Sequence, residues 1–294
     1  MKRISLGVVG IAAFLMALPF GKIANAADMP LKAPLASPAP AYSWTGFYIG
    51  GNVGYGWGHA NNSDNLIAPC PICLVAPLPD FATLAANGSN RVDGAIGGGQ
   101  IGYNWQVKNY LVGIEADIQA SGQRGTNTLN SAFFLPIAFF FGAQTPSATS
   151  LTNTTRLDWF GTVRGRLGFV YDRWLVYGTG GLAYGELNVN SAVNPANISL
   201  VPGFQNVPFN IGGSQTRTGW TLGFGVESAL SANWSWKAEY LYMDLGSVTV
   251  TGAVPAQGCL GNNLACNPTS AGSGTHATGR FTDNILRVGL NYRF

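Results

Sequence analysis

Eight stretches of this chain alternate apolar and polar residues, and the connections between them alternate without exception between short and long. The stretches are Trp44 to Gly58, Asp93 to Trp105, Tyr110 to Ala120, Arg156 to Val170, Trp174 to Gly185, Gln215 to Leu230, Trp234 to Asp244 and Arg280 to Phe294. Period 2 is the mark of a strand with one oily and one polar face. Three connections are tight and built of turn residues: Gln106 to Asn109, Tyr171 to Arg173, and Ser231 to Asn233. The other four are His59 to Val92, Ser121 to Thr155, Glu186 to Ser214, and Leu245 to Gly279. Each runs to roughly thirty residues, far beyond the usual connection in a compact soluble domain. A soluble sandwich gives no reason for strict alternation. An up-and-down barrel with both ends on one side of a membrane does. The prediction is an all-β chain: an eight-stranded antiparallel up-and-down transmembrane β-barrel with three short periplasmic turns and four long extracellular loops.

The closing stretch shows the pattern best. Leu286, Val288, Leu290, Tyr292 and Phe294 share one face, and Arg287, Gly289, Asn291 and Arg293 the other. Trp105, Tyr110, Trp174, Trp234, Trp236, Tyr292 and Phe294 flank the short turns or the C-terminus. Tyr55, Trp57 and Tyr184 fall near the long connections. Two aromatic bands at strand ends are the girdles of a membrane barrel. Charged residues make up 10% of the chain, yet no apolar run after the N-terminus is long enough to cross a bilayer as a helix. Alternation over short strands reconciles the two.

Lys2 and Arg3, then the apolar Ile4 to Phe20, then Ala24-Asn25-Ala26, read as an export signal. Residues 1–26 are expected to be cleaved, 27–43 to form a Pro-rich periplasmic leader, and 44–294 the barrel. Lys2, Arg3 and Lys22 leave with the signal, and the remaining basic residues equal the 13 acidic ones. A formally neutral mature chain has no nucleic-acid footprint.

Trp44 to Gly58 resembles the opening strand of the small outer-membrane β-barrel proteins of alpha-proteobacteria, the outer-membrane immunogenic or opacity-type porin-like family. Arg164 to Gly168, Thr179 to Gly185, Ala238 to Gly246 and Arg287 to Phe294 carry the same resemblance, in the family's order. The resemblance implies a barrel exposed at the cell surface and bathed in outer-membrane lipid and lipopolysaccharide. It also implies that Phe294 is the terminal aromatic read by the barrel-insertion machinery. It covers the strands and not the long connections.

The cysteines fall as Cys70 and Cys73 in the first long connection and Cys259 and Cys266 in the fourth. An even count in an exported chain suggests disulfides, and four cysteines allow three pairings. Local pairs, Cys70–Cys73 and Cys259–Cys266, are expected because short loops close cheaply. The Cys70–Cys73 spacing also matches a thiol-redox motif, but no helix N-terminus is predicted to activate it. His59 and His276 are the two histidines, on strands that neighbour each other in a closed barrel. They read as two solvated loop histidines; in the alternative they approach at the outer rim, yet no nucleophile and acid stand beside them. The chain is therefore expected not to be an enzyme, an outer-membrane lipid hydrolase being the alternative, and to need no metal or cofactor. Phe133, Phe134, Leu135, Phe139, Phe140 and Phe141 make an oily patch in the second long connection, and Leu74 to Phe81 another in the first. Such patches mark contact sites, either with each other or with an extracellular partner.

The interior decides what the barrel does. Eight strands enclose a space just wide enough for side chains. Inward positions include Glu115, Asp117, Arg164, Arg166, Glu227, Lys237, Glu239, Arg287 and Arg293. Both signs are present around the ring, and buried charges pair because isolated ones are costly. The expected result is a filled lumen in an envelope and surface protein. The competing reading is a narrow porin for small hydrophilic solutes, in which the inward Gly50, Gly54, Gly98, Gly102, Gly181 and Gly223 leave room for water.

Overall fold

The computed structural model describes residues 42–69, 81–133, 147–195, 204–205, 208–255, 259–260 and 272–294. Barrel strands are β1 (Gly46–Pro69), β2 (Phe81–Val107), β3 (Tyr110–Phe133), β4 (Ser147–Tyr171), β5 (Trp174–Pro195), β7 (Phe209–Ala229), β8 (Trp234–Val254) and β10 (Gly272–Arg293). They close into one ring in the order β1-β10-β8-β7-β5-β4-β3-β2, with β1 antiparallel to both β2 and β10. Two further pieces, β6 (Phe204–Gln205) and β9 (Cys259–Leu260), pair with each other. The predicted eight-stranded up-and-down topology is the observed one.

The outward face fixes which part of the ring meets lipid. On β3, Val112, Ile114 and Ile118 are more than half exposed, while Glu115 and Asp117 between them point inward. Leu167, Phe169, Val176, Leu182, Leu222, Phe224, Leu286, Val288 and Leu290 continue an exposed apolar belt around the ring. Exposure of so many large hydrophobics has a physical reason only in a nonpolar solvent. Aromatic pairs bound the belt at both ends. Phe47–Tyr103, Tyr110–Phe169, Trp174–Trp236 and Trp234–Tyr292 ring the short-turn end; Trp57–Tyr240, Trp159–Tyr184 and Trp220–Tyr242 ring the other. Tight turns join the strands below: Lys108 and Asp172 sit at φ 55° and 53°, the left-handed conformation such two-residue turns demand.

Beyond the second girdle the structure departs from the sequence-based expectation. The four long connections are not loops for most of their length. β1 continues to Pro69 and β2 begins at Phe81, and the other three pairs lengthen in the same way. At about 3.3 Å per residue and a tilt of about 40°, a strand as long as β1 rises about 60 Å, against an apolar band of about 25 Å. Over half the ring therefore stands outside lipid.

Outside that band the ring divides. The β2–β3 ladder stops at Asp93↔Arg124, and the β7–β8 ladder at Trp220↔Asp244. The six other ladders run on, so the pairing continues as two four-stranded sheets, β2-β1-β10-β8 and β3-β4-β5-β7. Gly246, at φ 71°, sits where β8 leaves the common ladder, and the Asp244 carboxylate accepts its N–H at 2.9 Å. Side chains hold the sheets together: Asn153 donates to Asp64 (2.7 Å), Gln123 to Asp283 (2.9 Å) and Gln215 to the Thr249 carbonyl (3.0 Å). β6, between β5 and β7 in the chain, pairs with β9, between β8 and β10, and so joins the two sheets once more. Backbone amides facing the two seams, on 125–130 of β3 and 247–253 of β8, should exchange with deuterium well before those of 112–120. Equal protection would show that the ladders continue.

Several expectations fall outside the described residues: the signal and most of the leader, Cys70, Cys73, Cys266, and residues 134–141 of the oily patch. Of Cys259 and Phe133 only the backbone is described, in β9 and at the end of β3.

Candidate functional site

The lumen is filled in layers, and each layer follows from which residue types the strands aim inward. At the short-turn end, Trp44 turns under the ring ahead of β1 and packs with Leu111, Val170, Leu175, Tyr177 and Ala229. Its backbone N–H donates to Gln106 Oε1 at 2.8 Å. Further out lie the charges, then an apolar layer with Leu157, Phe160, Leu187, Leu241, Met243, Phe281 and Ile285. A polar rung follows, made of Asn62, Asp64, Asn90, Asn153, His276 and Thr278, all nearly inaccessible. Leu66, Leu151, Val193, Ile211 and Val254 are buried beyond it.

The charged layer is the densest. Arg164 reaches Glu115 (2.5 Å), Asp117 (2.9 Å) and Glu239 (3.0 Å). Arg287 lies 2.9 Å from Asp117 and 2.6 Å from Glu239. Lys237 donates to both oxygens of Glu115 at 2.9 Å. Arg166 pairs with Glu227 at 2.7 Å and stacks over Tyr177 with its carbon 3.9 Å from the ring centre. Glu115, Asp117, Glu227 and Glu239 thus balance Arg164, Arg166, Lys237 and Arg287, and every one of them is buried.

Neutral groups add further partners to these charges. Tyr48 accepts from Arg166 and donates to Glu115, both at 2.7 Å. Thr162 donates to Asp117, Tyr177 to Glu239, and Ser235 and Asn291 to Glu227. Gln100 accepts from Asn52 and donates to Asn291 at 2.8 Å, which carries the network through β2. All eight barrel strands supply a member. Paired and hydrogen-bonded, the charges avoid the penalty of an isolated buried ion.

Eight of the nine predicted lumen charges meet here. Arg293 does not. It lies at the rim, donating to the Ala232 carbonyl at 2.8 Å and covering the Tyr42 ring at 4.5 Å. As the last residue of β10, it has left the ring's interior. The inward glycines lie close against neighbouring strands. A Cβ on Gly54 would lie 2.7 Å from Arg287 Cβ, and one on Gly181 2.7 Å from Arg164 Cα. At Gly102 the space is taken by the Tyr48 hydroxyl. At these positions a Cβ would meet a network side chain or the backbone of the neighbouring strand.

The two histidines do not meet. His59 is exposed on the outer face, opposite Thr282 and Arg91. His276 points inward from β10 and its Nδ1 lies 2.5 Å from Asp64 Oδ1. Asp64 was missed in the sequence because it sits in Asn61-Asn62-Ser63-Asp64-Asn65, where inward and outward residues are both polar. Among the described residues no cluster of three or more His, Cys, Asp or Glu could hold a metal ion.

Residues 26–294 match the family described as outer membrane protein beta-barrel domain. This chain belongs to that family. Over 284 residues, 95% of this chain and 97% of the relative, it is 33% identical to the 31 kDa outer-membrane immunogenic protein of Brucella melitensis. It is 29% identical over 209 residues to a 22 kDa outer membrane protein of Rhizobium leguminosarum, covering 71% of this chain and 67% of that one. A 25 kDa outer-membrane immunogenic protein of Brucella abortus is 24% identical over 282 residues, 94% and 93% of the two chains. The apolar belt is therefore the surface this outer-membrane barrel turns to lipid.

Its terminal residue closes that surface. Phe294 is exposed, its ring stands edge-on to Tyr292 at 5.2 Å, and its N–H donates to the Phe47 carbonyl at 3.0 Å.

Proposed function

We propose that this outer-membrane barrel is a structural and surface-contact protein of the envelope, with no continuous aqueous path through it. The observation that carries the reading is the charge network, in which all eight strands meet across the lumen. Apolar layers on either side of the network reinforce the closure. A narrow porin would need room at the inward glycines, where a Cβ would already meet neighbouring backbone or side-chain atoms. No enzyme activity is proposed: His276 has its acid, Asp64, but both are sealed inside the barrel. The short turns face the periplasm and the lengthened hairpins face outward, presenting their tips to extracellular partners. Biotin coupled to a cysteine at Thr128, in a variant whose native cysteines are replaced, should label intact cells. Labelling that requires lysis would reverse the orientation.

Phe294 serves insertion. Deleting it should reduce the amount of heat-modifiable barrel in the membrane several-fold without lowering synthesis, as read from pulse-labelled cells. Equal amounts of inserted protein would refute the role. The disulfides Cys70–Cys73 and Cys259–Cys266, and cleavage after Ala26, complete the proposal for the mature chain.

A further inference from the structure

We infer that Arg91, Arg124 and Arg156 form a phosphate site for the headgroup of a phosphorylated glycolipid in the outer leaflet. The inference rests on the outward orientation of the hairpins proposed above. Arg124 on β3 and Arg156 on β4 are direct cross-strand partners on the outer face, and both are exposed. Like charges placed opposite each other destabilise a sheet. Asp93, opposite Arg124 on β2, makes no ion pair with it among the described residues. Its carboxylate accepts from the Tyr55 hydroxyl at 2.5 Å and lies 3.7 Å from Arg91. Asp158 stands 3.2 Å from Arg156. Arg124 has no ion pair among the described residues.

Three guanidiniums on three adjacent strands therefore face two carboxylates, one of which is shared with a tyrosine. The group that would remove the repulsion is an anion lying between Arg124 and Arg156. Guanidinium forks match phosphate oxygens in pairs. Position selects a lipid-borne phosphate over a free one. Tyr55 and Trp159 mark the girdle just below, and Ile118, Val163 and Leu182 lie below them, exposed and apolar. A lipid can place its phosphate on the arginines and its chains on this strip, whereas free phosphate has nothing to gain from the strip.

The test is binding of diphosphoryl lipid A to the refolded barrel in detergent, read by native mass spectrometry. Dephosphorylated lipid A and inorganic phosphate are the comparison probes. Arg124→Ala and Arg156→Ala should each weaken lipid A binding at least about threefold, and the double variant about tenfold or more. Dephosphorylated lipid A should bind as weakly to the native barrel as lipid A does to the double variant. Arg173→Ala, at the short-turn end, should leave affinity unchanged. Heat-modified gel mobility confirms that each variant is folded. Unchanged affinity in the double variant, or equal retention of inorganic phosphate, overturns the inference. Binding in detergent is blind to orientation, so cell labelling at Thr128 and this measurement fail separately.

Discussion

Replacing Arg287 by alanine is expected to destabilise the barrel by about 3–5 kcal/mol, the loss seen when one partner is removed from a buried ion network. Arg287 holds Asp117 at 2.9 Å and Glu239 at 2.6 Å. Without it, three buried cations remain for four buried carboxylates. The deficit cannot be relieved by water unless the lumen opens, so stability and closure should change together. The midpoint for conversion from compact to unfolded gel mobility should fall by many degrees, and conductance should rise above background. Arg287→Lys should recover part of the stability, since a cation returns without the two-pronged fit. A midpoint unchanged in the alanine variant would mean that the network contributes nothing.

Phe160→Ala should cost about as much, roughly 3–5 kcal/mol, for a different reason. Phe160 is fully buried in the apolar layer, on the same strand as Arg164 but nearer the hairpins. Its removal leaves a cavity lined by neighbours such as Leu157 and Leu187, and no charge is unpaired. The variant should therefore unfold at a lower temperature and still conduct no better than the native barrel. The contrast separates two contributions that a stability measurement alone would merge. If Phe160→Ala conducts as Arg287→Ala does, the apolar layer is the seal and the charges are secondary.

The ring's membrane-level half could be read from sequence because its two faces differ so sharply. On β3, Val112, Ile114 and Ile118 alternate with Glu115 and Asp117, and period 2 assigns each to lipid or lumen. The same parity turned Arg164, Arg166, Glu239 and Arg287 inward, and the observed registers set Arg164 against Glu115 and Arg287 against Glu239. Tyr177, Asn52, Gln100, Ser235 and Asn291 are equally part of the network. They were not singled out because a neutral side chain in a strand gives no sign of its partner. Parity was the available signal for Tyr177, which shares a face with Leu175 and Thr179.

The outer half was not legible for a physical reason. Its strands meet water outside and a partly polar interior inside, so the contrast that reveals a strand disappears. Thr126, Thr128 and Asn130 on β3 and Asn61, Ser63 and Asn65 on β1 face outward, and Asn62 and Asp64 face inward. A run of this kind reads as loop, yet cross-strand pairing and a few buried anchors such as Leu66, Leu151 and Ile211 suffice to extend the sheet. The histidine assignment failed with it. Once β1 is extended, parity turns His59 outward and Asp64 inward, where it meets His276.

Single-channel recording on the native barrel in a planar bilayer tests the closed lumen most directly. The account predicts no steps above background in the unmodified protein, and ohmic steps in Arg164→Ala/Arg166→Ala, which removes two of the four buried cations. Stable open channels in the unmodified protein, with conductance indifferent to that double substitution, would contradict it.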